Sequence, residues 1–165
     1  MTTAVRTAPR AQHEVRALLM RLGDTLAPTE LERLCQRIYI RAELWRPLLE
    51  VGEDRVCACL YLDSSVGVYL ASWSPGDGTQ MHDHEGTSGA VVVARGSICE
   101  ARPGRDGQEE VLSLRAGSSV HFEASEAHRI ENCSDLPAAT IHCCSPPLEV
   151  TQVCPHAEDA LKAAA

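Results

Sequence analysis

Apolar positions change their period part-way along the chain. Val15, Leu18, Leu19 and Leu22 fall at i, i+3, i+4 and i+7, and Leu31, Leu34, Cys35 and Ile38 repeat that spacing. Each set makes one apolar stripe and predicts an amphipathic helix. Thr29 and Glu32 have capping-box spacing ahead of the second stripe, and Gly23-Asp24 separates the two. A short third helix is predicted over 43–49. After Arg55 the period becomes two, with turn residues at Pro75-Gly76-Asp77-Gly78, Gly104-Arg105-Asp106-Gly107 and Gly117-Ser118. The strands this pattern predicts are 55–62, 66–73, 79–84, 88–95, 97–102, 109–114, 118–122, 127–132 and 138–145. So many short strands close most economically into a barrel or jelly roll, which leaves few edges exposed. The expectation is one mainly β domain over 1–165, with a helical segment over 1–50 and a barrel over 55–152.

Composition narrows the function classes. The chain has 165 residues, enough for one domain with a substantial core. Fifteen Lys and Arg stand against 23 Asp and Glu, a net charge of −8, which offers no basic footprint for nucleic acid or anionic lipid. No run approaches the roughly eighteen apolar residues of a membrane helix, and the first residues lack the apolar core of a secretory signal. A cytoplasmic protein is expected, and its eight cysteines are read as reduced thiols. They contain no C-x-x-C pair, against a zinc ribbon or a thioredoxin-like site. A monomer is the default expectation.

The candidate chemistry lies in the histidines. His82 and His84 are two apart, so on an extended strand both imidazoles leave one face and can converge on an ion. Taken alone, the pair reads equally well as two surface histidines near a turn. The frame around it adds weight: Gly76, His82, His84 and Gly96 read G-x5-H-x-H-x11-G, and Gly117, His128 and Asn132 read G-x10-H-x3-N. The two frames resemble the two motifs of the cupin superfamily, small β-barrels that hold a metal inside one end. Ser88 and Gly89 stand where most cupins carry a glutamate, so the ligand set this resemblance implies is His82, His84 and His128. Three neutral imidazoles suit a divalent transition metal with open positions, and a closed structural zinc site would want a fourth protein ligand.

From Trp73 to Leu148 the chain resembles one branch of the cupins, the cysteine dioxygenase family of thiol dioxygenases. The residues that carry the resemblance are Trp73, Met81-His82-Asp83-His84, Ala127-His128-Arg129-Ile130-Glu131-Asn132 and Ile141-His142-Cys143-Cys144-Ser145-Pro146-Pro147-Leu148. It implies a cupin-type barrel preceded by helices, Fe(II) held by His82, His84 and His128, and Thr140 with His142 as a pair behind the metal. Cys144 replaces the tyrosine whose hydroxyl faces substrate in the family, and Gly89 replaces the cysteine that some members cross-link to it. The arginine that binds the substrate carboxylate is also missing from its strand, which reads Arg55-Val56-Cys57-Ala58-Cys59-Leu60-Tyr61. Arg55 shares a strand face with Cys57, Cys59 and Tyr61, and either reaches inward from there or is a solvated charge. Arg55, Tyr61 and Trp73 are the candidate substrate-side residues, and His142, Cys144 and Thr140 the candidate catalytic ones.

The implied reaction is oxidation of a small thiol by dioxygen, with L-cysteine first and a sulfinate as the ordinary product. Replacement of the tyrosine admits a tailoring oxygenase with an over-oxidised, decarboxylated or rearranged product. The missing arginine admits another thiol carboxylate such as 3-mercaptopropionate or mercaptosuccinate. Both losses together admit a metal-binding cupin without turnover.

Overall fold

The computed structural model describes residues 4–20, 26–49, 56–148 and 153. In chain order the elements are β1 (Ala4–Thr7), α1 (Pro9–Leu19), α2 (Pro28–Tyr39), a 3-10 turn (Ala42–Leu44), α3 (Arg46–Leu49), β2 (Val56–Leu62), β3 (Gly67–Trp73), β4 (Ser88–Arg95), β5 (Ser97–Pro103), β6 (Glu109–Arg115), β7 (Ser119–Phe122), β8 (Arg129–Glu131) and β9 (Ala138–Ser145). They form a six-stranded sheet, β1-β2-β3-β9-β4-β7, and a three-stranded sheet, β6-β5-β8. All pairings are antiparallel except β1 beside β2. The parallel strand β1 was not expected from the sequence. No described helix is long and apolar enough to cross a membrane.

The helices lie outside the large sheet. Leu31, Leu34, Cys35 and Ile38 of α2 are fully buried, and α2 packs on β4, β7 and β9. The Cys35 thiol reaches the carbonyls of Ala90 at 3.4 Å and Ile141 at 3.6 Å, joining the helix to both central strands. α2 begins two residues earlier than the Thr29 and Glu32 spacing suggests. Pro28 takes the first helical position, where its missing N–H costs nothing, and the Glu30 carboxylate accepts from Ala27 N at 3.0 Å.

Two apolar layers result, and alternation along the strands decides which residue enters which. Ala90, Val92, Ala139, Ile141 and Cys143 pack toward the helices. Val91, Val93, Ala138 and Cys144 pack inside the barrel with Ile98, Phe122 and Ile130. Strands covered on both faces read as unbroken apolar runs, which is why 88–95 and 138–145 stand out in the sequence.

Three expectations change. Residues 79–84 form no strand. They are held beside β8 by isolated bridges, Gly78 to Glu131 and His82 to His128. Tyr61 does not share a face with Cys59, because the β2–β3 register shifts between these two residues and Tyr61 pairs with Val68. Its ring joins the helix-side layer and its hydroxyl donates to Asp63 at 2.7 Å. Cys57 is disulfide-bonded rather than reduced. The other described cysteines, Cys35, Cys59, Cys99, Cys133, Cys143 and Cys144, are free.

Truncating Leu34 removes a fully buried side chain far from the histidines. Leu34→Ala is expected to cost about 2–5 kcal/mol in denaturant unfolding and to leave metal affinity unchanged.

Candidate metal centre

Strand pairing, rather than strand spacing, assembles the three histidines. His82 and His128 exchange both backbone hydrogen bonds, at 3.0 and 2.9 Å. His84 follows two residues later, before a tight turn in which Glu85 (φ 45°) and Gly86 (φ 99°) adopt left-handed backbone. The imidazole centroids are 4.8 Å apart for His82 and His84, 5.3 Å for His82 and His128, and 5.0 Å for His84 and His128. One nitrogen from each ring lies within 4.8 Å of the others.

Hydrogen bonds on the far sides of the rings fix what two of them offer. His82 Nδ1 meets the Gln80 carbonyl at 2.8 Å, and His128 Nδ1 meets Glu100 Oε1 at 2.8 Å. Both partners only accept, so both Nδ1 atoms carry the proton and both Nε2 lone pairs are free for an ion. Glu100 is 2 % exposed. Burial alone would raise its pKa, but bonds from His128 and from Arg102, at 3.0 Å, outweigh it and hold the carboxyl below the usual range. His84 stacks on Phe122 with centroids 4.4 Å apart. Burial, then repulsion from His128 and His82, lowers its pKa to about 4, so the ring is neutral near pH 7. Its Nδ1 is buried with no hydrogen-bond partner. An orphaned nitrogen within a cluster of three imidazoles fits a site built for a divalent transition metal.

Behind the cluster runs a directed chain. Trp73 Nε1 donates to Thr140 Oγ1 at 2.8 Å, and Thr140 Oγ1 lies 2.7 Å from His142 Nε2. The indole N–H donates to Thr140, and the threonine's own hydrogen has no acceptor but His142 Nε2 among the described residues, so it goes there and the histidine proton sits on Nδ1. His142 Nδ1 makes no hydrogen bond among the described residues. Burial first, then the neighbouring histidines, takes the His142 pKa to about 3, and the ring is a neutral donor. Cys144 lies on the same strand face, its pKa raised by burial, so it stays a thiol. It is cross-strand from Gly67 on one side and Gly89 on the other. A Cβ at Gly67 would collide with the Tyr69 phenol, and one at Gly89 with the Phe122 ring.

The structure therefore brings His82, His84 and His128 together and joins Trp73, Thr140 and His142 in one hydrogen-bonded line. Cys144 shares the face of Thr140 and His142. The indole N–H of Trp73 is engaged by Thr140, which leaves no polar group of Trp73 for a substrate. Tyr61 belongs to the other side of the sheet, and Arg55 lies outside the described residues. His121 is exposed on the edge strand β7 and paired with Glu32 at 2.6 Å. Glu100 and Tyr69 were not singled out from the sequence. A carboxylate two residues after the inward Ile98, and a tyrosine two before the inward Ala71, are the alternation signals that mark them.

A family model described as cysteine dioxygenase type I matches residues 62–154, more than half of the chain. Among solved structures, the protein TT1209 of Thermus thermophilus is similar at 21% identity and a TM-score of 0.53, over 62% of this chain and 94% of that one. A cupin superfamily protein of Desulfitobacterium hafniense is similar at 13% identity and a TM-score of 0.50, over 61% and 85%. At these identities the likeness is one of fold. No curated protein matches the chain.

Replacing Glu100 by the isosteric Gln removes the negative charge that accepts from His128 Nδ1. Glu100→Gln is expected to lower divalent metal affinity about 10- to 100-fold, read by Co(II) titration against a chelator.

Proposed function

The chain belongs to the cysteine dioxygenase type I family, and on that footing we propose that it is an Fe(II)-dependent dioxygenase of a small thiol, L-cysteine first. The coarser reading, a cupin-type metal-dependent oxygenase, follows from the family and the fold together. The observation that carries the finer one is the cluster of His82, His84 and His128, with the oriented Thr140–His142 pair on β9.

His82, His84 and His128 would hold the ion. When bound, Fe(II) supplies the Lewis acidity and the redox capacity for joining dioxygen to a thiolate sulfur. The reaction adds both oxygen atoms to sulfur, taking R–SH and O2 to R–SO2H, so no other oxidant or reductant is needed. The chain's own residues provide orientation and exclusion. Gln80 and Glu100 keep two imidazoles in the tautomer that presents Nε2. Thr140 keeps the His142 proton on Nδ1, where a neutral donor can stabilise charge that develops on oxygen. Val91, Val93, Ile98, Phe122 and Ile130 keep the barrel interior apolar and dry, which strengthens each of these polar contacts.

Cys144 favours a second reading of the product. A neutral thiol stands where the family places a phenol, which supports a tailoring reaction with an over-oxidised, decarboxylated or rearranged product. Turnover of 3-mercaptopropionate or mercaptosuccinate in place of cysteine would shift the substrate within the same chemistry.

The deciding measurement is oxygen uptake by the anaerobically Fe(II)-loaded protein over a panel of small thiols, with product masses from the same vials. Uptake with cysteine and a gain of two oxygen atoms is expected, and His128→Ala is expected to abolish it. A different mass with cysteine would establish the tailoring reading. No uptake with any thiol, at full iron loading, would leave a metal-binding cupin without turnover. Thr140→Val is expected to leave iron content unchanged and to lower kcat about 10- to 100-fold.

A further inference from the structure

The two sheets leave one seam unpaired. β7 ends the six-stranded sheet, and β6 is an edge of the three-stranded one. At that seam lies a cavity of about 540 Å³, within the size range of small-molecule sites. Part of its wall is apolar, from Val111, Leu112 and Val120. Val111 and Leu112 are 60 % and 50 % exposed, adjacent apolar side chains at this edge.

The rest of the wall is charged and unequal in sign. Glu32, Glu100 and Glu110 face one guanidinium, that of Arg102. The seam histidine, His121, is paired with Glu32, which also accepts from Ser119 at 2.7 Å. Arg102 is shared among Glu100, Glu126 at 3.5 Å and the His121 carbonyl at 2.8 Å. Glu110 is cross-strand from Arg102, yet its carboxylate has no hydrogen bond or ion pair among the described residues.

Glu100 is what makes this more than a group of surface acids. It is 2 % exposed, and both of its hydrogen bonds, from His128 and Arg102, go to Oε1. Oε2 accepts none among the described residues. Nor is it sealed in, since the buried side-chain polar atom found without a partner is His84 Nδ1. Glu100 lines this cavity. A buried carboxylate oxygen is therefore left for a donor from the seam.

We propose that the seam binds a small organic cation with an apolar body, a primary ammonium or guanidinium in class, and that its occupation weakens metal binding through Glu100. The apolar part lies on Leu112 and Val120, and the cation between Glu110 and Glu100 Oε2. A cation on Oε2 draws charge from the carboxylate that supports His128, so amine and metal oppose each other, and by linkage they do so equally.

The test uses the full chain and n-hexylammonium, with hexan-1-ol as the neutral isostere, by calorimetry. Expected are binding of the amine at least about tenfold tighter than of the alcohol, and loss of that advantage in Glu110→Gln. Leu112→Gln weakens both ligands. Saturating amine is expected to lower Co(II) affinity at least about fivefold in the unmodified chain and not in Glu110→Gln. Equal binding of amine and alcohol would overturn the site. So would amine binding indifferent to both substitutions, as general attraction to a chain of net charge −8 would give. Amine binding without any change in Co(II) affinity would overturn the coupling. None of these readouts requires turnover, so they stand or fall separately from the oxygenase reading.

Discussion

Strand β9 lies between β3 and β4 with one face under the helices and the other inside the barrel, and its alternation must satisfy both at once. Ala139, Ile141 and Cys143 fill the helix side, while Ala138, Thr140, His142 and Cys144 face inward. A slip of one residue would put Thr140 and His142 against the apolar face of α2 and turn Ile141 into the interior, exchanging two satisfied polar groups for two buried and unpaired ones. The register that closes the hydrophobic layers is thus the register that aims Thr140 at His142. Stability and site geometry are one constraint on this strand.

Hydrogen-bond direction does for the histidines what packing does for β9. Each oriented ring is tied by a partner that sets its tautomer: a backbone carbonyl for His82, a carboxylate for His128, and for His142 a hydroxyl whose hydrogen has no other acceptor among the described residues. A buried carboxylate such as Glu100 is costly unless it is paired. Its two bonds to His128 and Arg102 both relieve that cost and place negative charge behind the His128 ring. In a cluster of three imidazoles with no carboxylate member, this is the means by which the protein supplies anionic character without spending a coordination position.

The parts of the structure legible in the sequence were those written in long, uninterrupted patterns. Strands 88–95 and 138–145 coincide with β4 and β9, and the second helix stripe reappears whole as buried residues of α2, whereas of the first Val15 and Leu18 are buried in α1, Leu19 is half-buried and Leu22 lies outside the described residues. The histidine frames led to His82, His84 and His128 because spacing survives in sequence. What spacing could not carry was lost. The segment 79–84 looks like a strand but has only isolated bridges to hold it, and one register shift in β2 moved Tyr61 to the opposite face. Glu100 comes from a strand without a histidine and meets His128 only through the pairing of Glu100 with Ile130. A disulfide at Cys57 contradicts the reading of all eight cysteines as reduced, which rested on the absence of an export signal rather than on any pairing geometry.

Replacement of the family's tyrosine by Cys144 does not leave a hole. The two glycines beside Cys144 make room on the sheet surface, and aromatic rings from residues further along fill it: Tyr69 over Gly67 and Phe122 over Gly89. A larger side chain at either glycine would have to displace a ring, and displacement of Phe122 would reach His84, on which it stacks. A phenol is thus still present beside this position, carried by β3 instead of β9. Its situation differs, however, because the Tyr69 hydroxyl gives its only hydrogen to the Leu148 carbonyl and its pKa is raised, by burial first and then by Cys144 and Cys59. Such a phenol stays protonated and has no hydrogen left to donate inward. The inward donors that remain on this wall are the Cys144 thiol and the His142 Nδ1–H, so the polarity that a tyrosine would supply from β9 is here divided between a weak donor and a stronger one set two residues back along the same strand.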